Sequence, residues 1–306
     1  MNFQEANNDF KKRYERSANK IYFVGKPLIF LRDAQRVMGC ATSIGGAILV
    51  APRKDGRLCL EFSNSADFFT SNVNELKHNQ DNSVFEILQR LRDTGVELGG
   101  ADILFYYNTG LLAPKLPMII AALSSFCKNV PKESEVIRHF EDFQKHTVCL
   151  QSKKDCITIF DGKNAEYVHL ADSMVKIVIS KIKDKRSMKI AESKEIDSAI
   201  SAAGCLDLEK LGRILNKSAE ETIRKNKKTQ TVELFNVAKS QGYALGSGFF
   251  GDGGIFSIVE NKLVDSFMQN LASYYGRYFG QRPDFYVTNA AFSGIEIAPI
   301  EFGSDG

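Results

Sequence analysis

The sequence predicts a mixed α+β protein of two lobes, and three observations carry that expectation. The chain has 306 residues, 43% of them hydrophobic, which exceeds one ordinary core and suffices for two. Apolar runs of strand length alternate along the chain with segments whose apolar residues recur at helical spacing. Near its end the chain reads strand, long amphipathic helix, strand, the order of a split βαβ lobe.

Composition removes several function classes. Charged residues at 25% and aromatics at 10% argue against disorder. A net charge of +3 is too small to draw the chain to nucleic acid or an anionic membrane. No apolar run reaches the roughly 18 residues of a membrane span, and Met1-Asn2-Phe3-Gln4-Glu5 does not open a signal peptide. A soluble, cytoplasmic protein is expected, with neither nucleic acid nor membrane as partner. Cys40, Cys59, Cys127, Cys149, Cys156 and Cys205 form no C-x-x-C pair, and His78, His139, His146 and His169 lack metal-ligand spacing. Buried, reduced thiols and no metal site are expected.

The elements follow in order. Asn8 to Ser17 is polar with Phe10 and Tyr14 one turn apart, the pattern of a surface helix. Lys20 to Leu31 is a strand-like run interrupted by Gly25-Lys26-Pro27. Ile44 to Ala51 and Arg57 to Phe62 flank Pro52-Arg53-Lys54-Asp55-Gly56, which predicts a hairpin. Val84 to Arg92 has a helical apolar face, Asp102 to Tyr107 is a strand, and Met118 to Cys127 is a buried helix beyond the connection Gly110 to Pro117. Thr147 to Leu150, Cys156 to Phe160, Tyr167 to Leu170 and Val175 to Ile182 read as strands. Leu206 to Ile223 and Val232 to Ser240 read as helices, and Leu263 to Tyr278 as a long one between strands Ile255 to Val259 and Phe285 to Asn289.

The most distinctive local signal is Gly246-Ser247-Gly248-Phe249-Phe250-Gly251-Asp252-Gly253-Gly254. Small residues this dense let a backbone approach a ligand closely, and the N–H groups of such a loop can cradle phosphate. The same run also suits a tight helix-to-strand connection with no ligand. It is not the Gly-x-x-x-x-Gly-Lys-Ser/Thr signature, which is absent from the chain.

Tyr243 to Ile258 resembles the third motif of the GHMP kinases, in particular the galactokinase form T-G-A-G-F-G-G-C. Asn261 to Phe267 and Pro283 to Val287 are similar to the galactokinase C-terminal helix and final strand. Leu211-Gly212-Arg213-Ile214-Leu215-Asn216-Lys217-Ser218 resembles the family helix F-G-E-L-M-N-E-S-H. More weakly, Asp9-Phe10 to Gly25-Lys26 resembles the entry to the P-G-R motif, and Gly100 to Leu104 the strand before the phosphate loop. The resemblance runs from about Phe10 to Ile295. It implies the two-lobed GHMP kinase fold, with an S5-like N-terminal lobe over 1–140 and a split βαβ lobe over 141–306. It also implies ATP and Mg²⁺ as cofactors, and phosphoryl transfer to the anomeric hydroxyl of galactose.

The departures fall on the family's chemistry. Where galactokinases carry R-x-x-L-I-G-E-H-T-D-Y-N-G-G, this chain has Lys26-Pro27-Leu28-Ile29-Phe30-Leu31-Arg32-Asp33-Ala34-Gln35 onward. Arg32, Asp33 and Gln35 thus occupy the substrate-binding positions. Where P-x-G-x-G-L-S-S-S-A holds phosphate, Gly110-Leu111-Leu112-Ala113-Pro114-Lys115-Leu116-Pro117-Met118 stands instead, leaving Lys115 as the phosphate candidate. The M-D-Q-F segment that supplies the catalytic aspartate aligns with Lys145-His146, or with Asp142 after a small shift. The resemblance therefore assigns Lys26, Asp142 and Lys145 to catalysis. It assigns Lys115, Gly246, Ser247, Gly248, Gly251 and Gly253 to the nucleotide.

A positioned base contributes roughly 10²–10⁴-fold, and stabilisers of a transferring phosphoryl group at least as much per donor. The first expectation is accordingly a galactokinase-like protein, a pseudokinase, whose phosphoryl transfer is impaired or lost while ligand binding serves a sensing role. Its ligand would be a sugar or another small hydroxylated molecule, with or without nucleotide. One alternative is an active small-molecule kinase with a rewired pocket of Lys26, Arg32, Asp33 and Lys145, better suited to an anionic substrate. A second is a structural or partner-binding module.

Overall fold

The computed structural model describes residues 1–76, 83–107, 111, 113–130, 132–170, 174–184, 190–226, 229–251 and 253–297. His78, Gly110, Leu112 and Asp252, named above, lie outside them. Along the chain run α1 (Phe3–Tyr14), β1 (Lys20–Arg32), β2 (Val37–Arg53), β3 (Arg57–Phe62), β4 (Phe68–Asn72) and α2 (Ser83–Asp93). Next come β5 (Gly100–Tyr107), α3 (Lys115–Ala122), α4 (Glu133–Ile137), α5 (Phe143–Gln151), β6 (Cys156–Phe160), β7 (Ala165–His169) and β8 (Val175–Lys181). The remainder is α6 (Ile196–Gly204), α7 (Leu208–Lys225), α8 (Gln230–Ser240), β9 (Ala244–Gly251), β10 (Gly254–Glu260), α9 (Val264–Phe279), β11 (Asp284–Thr288), β12 (Ala290–Ala291) and β13 (Ile295–Ile297).

The chain forms two units that are discontinuous in sequence. The first takes Met1–Pro27, Ile44–Gln151 and the segment from Phe292 onward; the second takes Leu28–Ser43 and Ser152–Ala291. In the first unit the strands lie in the order β13-β1-β2-β5-β3-β4. Successive residues of these strands point to opposite faces, as the pleat requires. Tyr22, Val24, Ile48, Val50, Ile103 and Phe105 join α2, α3, α4 and α5 in one core. Ile21, Ala47, Leu49, Leu104 and Tyr106 pack with Ala6 and Phe10 of α1 in another.

Four sequence expectations change here. Phe10 is fully buried, so α1 covers the sheet through an apolar stripe too short for composition to reveal. β1 runs unbroken through Gly25-Lys26-Pro27. β2 and β3 do not form a hairpin, because β5 lies between them, antiparallel to β2 and parallel to β3. Asp102 of β5, 1% exposed, is tied into that arrangement. Its carboxylate accepts from Arg53 Nη1 at the end of β2 (2.9 Å) and from Arg16 Nε (2.8 Å). Thr147 to Leu150 belongs to α5 and is not a strand. A threonine and three apolar residues fit either period, and the helix wins because Val148, Cys149 and Leu150 are all buried while Thr147 Oγ1 bonds back to Phe143 O (2.9 Å).

The second unit holds a four-stranded antiparallel sheet, β11-β8-β10-β9. β10 and β11 both run antiparallel to β8 and flank it, so β10-α9-β11 is a split βαβ arrangement, as the sequence predicts. Phe235 of α8, Phe249, Ile255 and the α9 residues Phe267, Leu271 and Tyr275 fill one core of this unit. The N-terminal part of β2, with β6, β7 and β12, forms the unit's other ladder. All six cysteines are free; Cys40, Cys59, Cys149 and Cys156 are buried, whereas Cys205 is exposed. Among the described residues no helix is long and apolar enough to cross a membrane.

Candidate functional site

In the first unit, three residues expected in catalysis gather around α5. Lys26 lies half-buried in β1, next to Gly25, whose N–H donates to Ser293 Oγ (2.9 Å) and whose carbonyl accepts from Cys149 Sγ (3.2 Å). Burial pushes the Cys149 thiol up to about 12, against the pull of the Ser293 hydroxyl and the charges of Lys145 and Lys26. Asp142 sits at the entry to α5 with φ 54, and its carbonyl accepts from His146 N (3.2 Å). His146, one position beyond Lys145, has a buried Nδ1 without a hydrogen-bond partner among the described residues. Burial, reinforced by Lys145 and opposed by Asp142, pushes its pKa down to about 4. Lys145 and Lys26 thus act on buried Cys149, and Lys145 and Asp142 on half-buried His146, along α5. Sequence reading missed Cys149 and Ser293, because it placed residues 147–150 in a strand and hid the one-turn spacing of His146 and Cys149.

Lys115 is elsewhere in the same unit, at the first position of α3. Its Nζ donates to Ser83 Oγ (2.8 Å) and lies 4.7 Å from the centre of the Phe62 ring, and burial lowers its pKa. Pro114 caps this helix with no side-chain bond, and Pro117 in its first turn has no N–H to offer.

In the second unit, the turn between β1 and β2 holds the expected substrate residues. Asp33 accepts from the N–H groups of Gln35 (2.8 Å) and Arg36 (2.6 Å) and from Arg36 Nη2 (2.9 Å). Burial pushes the Asp33 carboxyl up, but these bonds outweigh it and hold its pKa below the ordinary carboxylate range. Arg36 also bridges to Asp197 of α6, an ion pair that sequence reading did not single out. Asp33 therefore closes its own turn. Arg32 carries a buried Nε with no hydrogen-bond partner among the described residues, while its carbonyl accepts from Ser193 N (2.7 Å). Gln35 is exposed.

The glycine run was expected as a loop, and the structure corrects this: Ala244–Gly251 is strand β9, laddered to β10 with Ser257 opposite Ser247 and Phe256 opposite Gly248. Its glycines are spaced for packing. Gly246 touches the backbone of Gly212 in α7, and Ser247 N–H donates to Asn216 Oδ1 (2.9 Å). The Ser247 hydroxyl is fully buried against Ser257 Oγ (2.7 Å). The two best-matched motifs, Leu211 to Ser218 and Gly246 to Gly251, are thus the two sides of one helix–strand seam. Gly253 turns the hairpin at φ 77, with the Asp184 carbonyl where a side chain would start.

No family model matches the sequence, and no curated protein does. Solved structures do. A Lactococcus lactis galactokinase complexed with galactose superposes with a TM-score of 0.80 over 96% of this chain and 99% of that one, at 14% identity. A mevalonate diphosphate decarboxylase from Staphylococcus aureus gives 0.64 over 91% and 97% at 10% identity. A Methanococcus jannaschii mevalonate kinase gives 0.61 over 88% and 98% at 13% identity. The chain has the two-lobed α+β GHMP kinase fold.

Proposed function

We propose that this chain is a galactokinase-like protein in which phosphoryl transfer is impaired or lost, and which binds a small hydroxylated molecule in a sensing role. The observation that carries the reading is the state of the residues expected to meet the triphosphate. Lys115 is engaged with Ser83 and Phe62, and Pro117 removes a donor from the first turn of α3. The Ser247 hydroxyl is spent on Ser257, and its N–H on Asn216. The described residues at these positions do not fit a triphosphate and its magnesium ion. Among the described residues, no three metal-ligating side chains converge either.

Ligand recognition is the part of the reading supported from the other side. In the first unit Lys26 and Lys145 bring two positive charges to bear near α5. Separately, in the second unit, Arg32 has a buried Nε without a hydrogen-bond partner among the described residues. Groups of this kind bind a hydroxylated molecule with anionic character better than a neutral hexose. The same groups favour, as the second reading, an active kinase for such a substrate. Purified protein with Mg·ATP and galactose, followed by phosphorus NMR, should turn over below roughly 1 s⁻¹, where ordinary enzymes begin. Robust formation of galactose 1-phosphate would sink the proposal. A panel of phosphorylated and carboxylated sugars in the same assay separates the second reading from the first.

A further inference from the structure

The second unit carries a cavity of about 560 Å³ that none of the expected catalytic, substrate or nucleotide residues lines. It lies where β8, β9 and β10 end together, away from the Gly251–Gly254 turn of the same hairpin. From Leu245 at its wall to Gly251, strand β9 extends roughly 20 Å. That volume is within the range of small-molecule sites, roughly 300–1,000 Å³.

Two side chains at its mouth are out of place for a surface. Leu206 is 52% exposed and adopts φ 56, a left-handed conformation costly for a residue with a Cβ. Its position ends α6, where Asp207 N–H returns to Ala202 O (2.8 Å), and glycine or asparagine would fill it with less strain. Met174, which also lines the cavity, is 61% exposed. A strained leucine and a flexible methionine facing one cavity make an apolar grip.

The charges around the grip are unequal. Asp207, Glu209 and Glu260 line the cavity with one lysine, Lys262, which pairs with Glu260 at 2.8 Å. Arg213, outside the lining, reaches Glu209 at 3.7 Å, and both side chains of that pair stay largely exposed. The α7 N-terminus is not a vacant anion site, because Asp207 already accepts from Lys210 N (2.9 Å). We propose that this cavity is a second ligand site, for a small organic cation with an apolar body held by Leu206, Met174 and Leu245 and an ammonium or guanidinium group facing Asp207 and Glu209.

The test uses three probes of one shape: 2-phenylethylammonium, neutral 2-phenylethanol and anionic 3-phenylpropanoate. Each is titrated into the full chain with labelled methionine and leucine methyl groups. The ammonium should shift the Met174 and Leu245 methyl signals saturably, and bind about tenfold tighter than the carboxylate. Leu206→Gly should weaken it about tenfold without lowering the melting temperature, and Glu209→Gln should weaken it about threefold with the melting temperature unchanged. The proposal is overturned by the absence of saturation, by equal or tighter binding of the carboxylate, or by unaltered affinity in both variants. It is also overturned if Leu206→Gly melts lower, because the leucine would then be supporting the fold.

Discussion

Gly212 of α7 and Gly246 of β9 meet backbone to backbone. A Cβ on Gly246 would lie 2.3 Å from the Gly212 Cα, and one on Gly212 would lie 2.0 Å from the Leu245 carbonyl oxygen. Neither neighbour is a side chain that can swing away, so helix and strand must separate to admit a methyl group. Gly212→Ala and Gly246→Ala should each cost about 3 kcal/mol or more in urea unfolding. The double variant should cost less than the sum, because the first methyl already opens the seam. Strict additivity would show that the two glycines do not share one contact.

Gly248 has a different reason to be small. Its φ is not left-handed, but a Cβ there would lie 2.6 Å from the ring of Phe256 on the paired strand. Gly248→Ala should destabilise by about 1–3 kcal/mol, and Phe256→Leu in the same chain should recover part of the loss by shrinking the ring. A left-handed strain would not respond to Phe256 at all. Thermal melts of the four proteins decide between the two causes.

If the Ser247 hydroxyl and Lys115 are engaged within the protein, Mg·ATP has few donors to meet. Calorimetry should give a dissociation constant weaker than about 100 μM. Gly248→Ala should melt lower than wild type by the same amount with and without Mg·ATP. Micromolar binding, or a variant that melts like wild type but loses a nucleotide-induced shift, would return the glycine strand to a ligand role.

His146 predicts a pH dependence with a definite sign. Its folded pKa is pushed down to about 4, from an ordinary value of 6.5, so between these the unfolded chain binds the proton more readily. Stability from this residue is complete above pH 6.5 and falls as pH drops towards 4, by up to about 3 kcal/mol. The difference in urea midpoint between pH 7 and pH 5 should shrink in His146→Gln. An unchanged difference would assign the pH dependence to other groups.

The sequence by itself determined the fold class and the order of elements near the C-terminus. Local periodicity suffices for α7, α8, α9 and the strands around them, because each has an apolar face long enough to read. It also found the glycine run, but it left Lys115 in the connection before a helix from Met118, whereas the helix begins at Lys115. What it could not read was partnership across the chain. β5 pairs with β2 along eight residues, with its buried Asp102 meeting Arg16 and Arg53 from distant parts of the chain, so the turn after Pro52 does not make a hairpin. Gly246 and Gly248 looked like phosphate-binding residues because dense glycine permits close approach to anything. Only the tertiary structure decided that the close neighbours are Gly212 and Phe256. Close approach is a property of two surfaces, and one stretch of sequence describes only one of them.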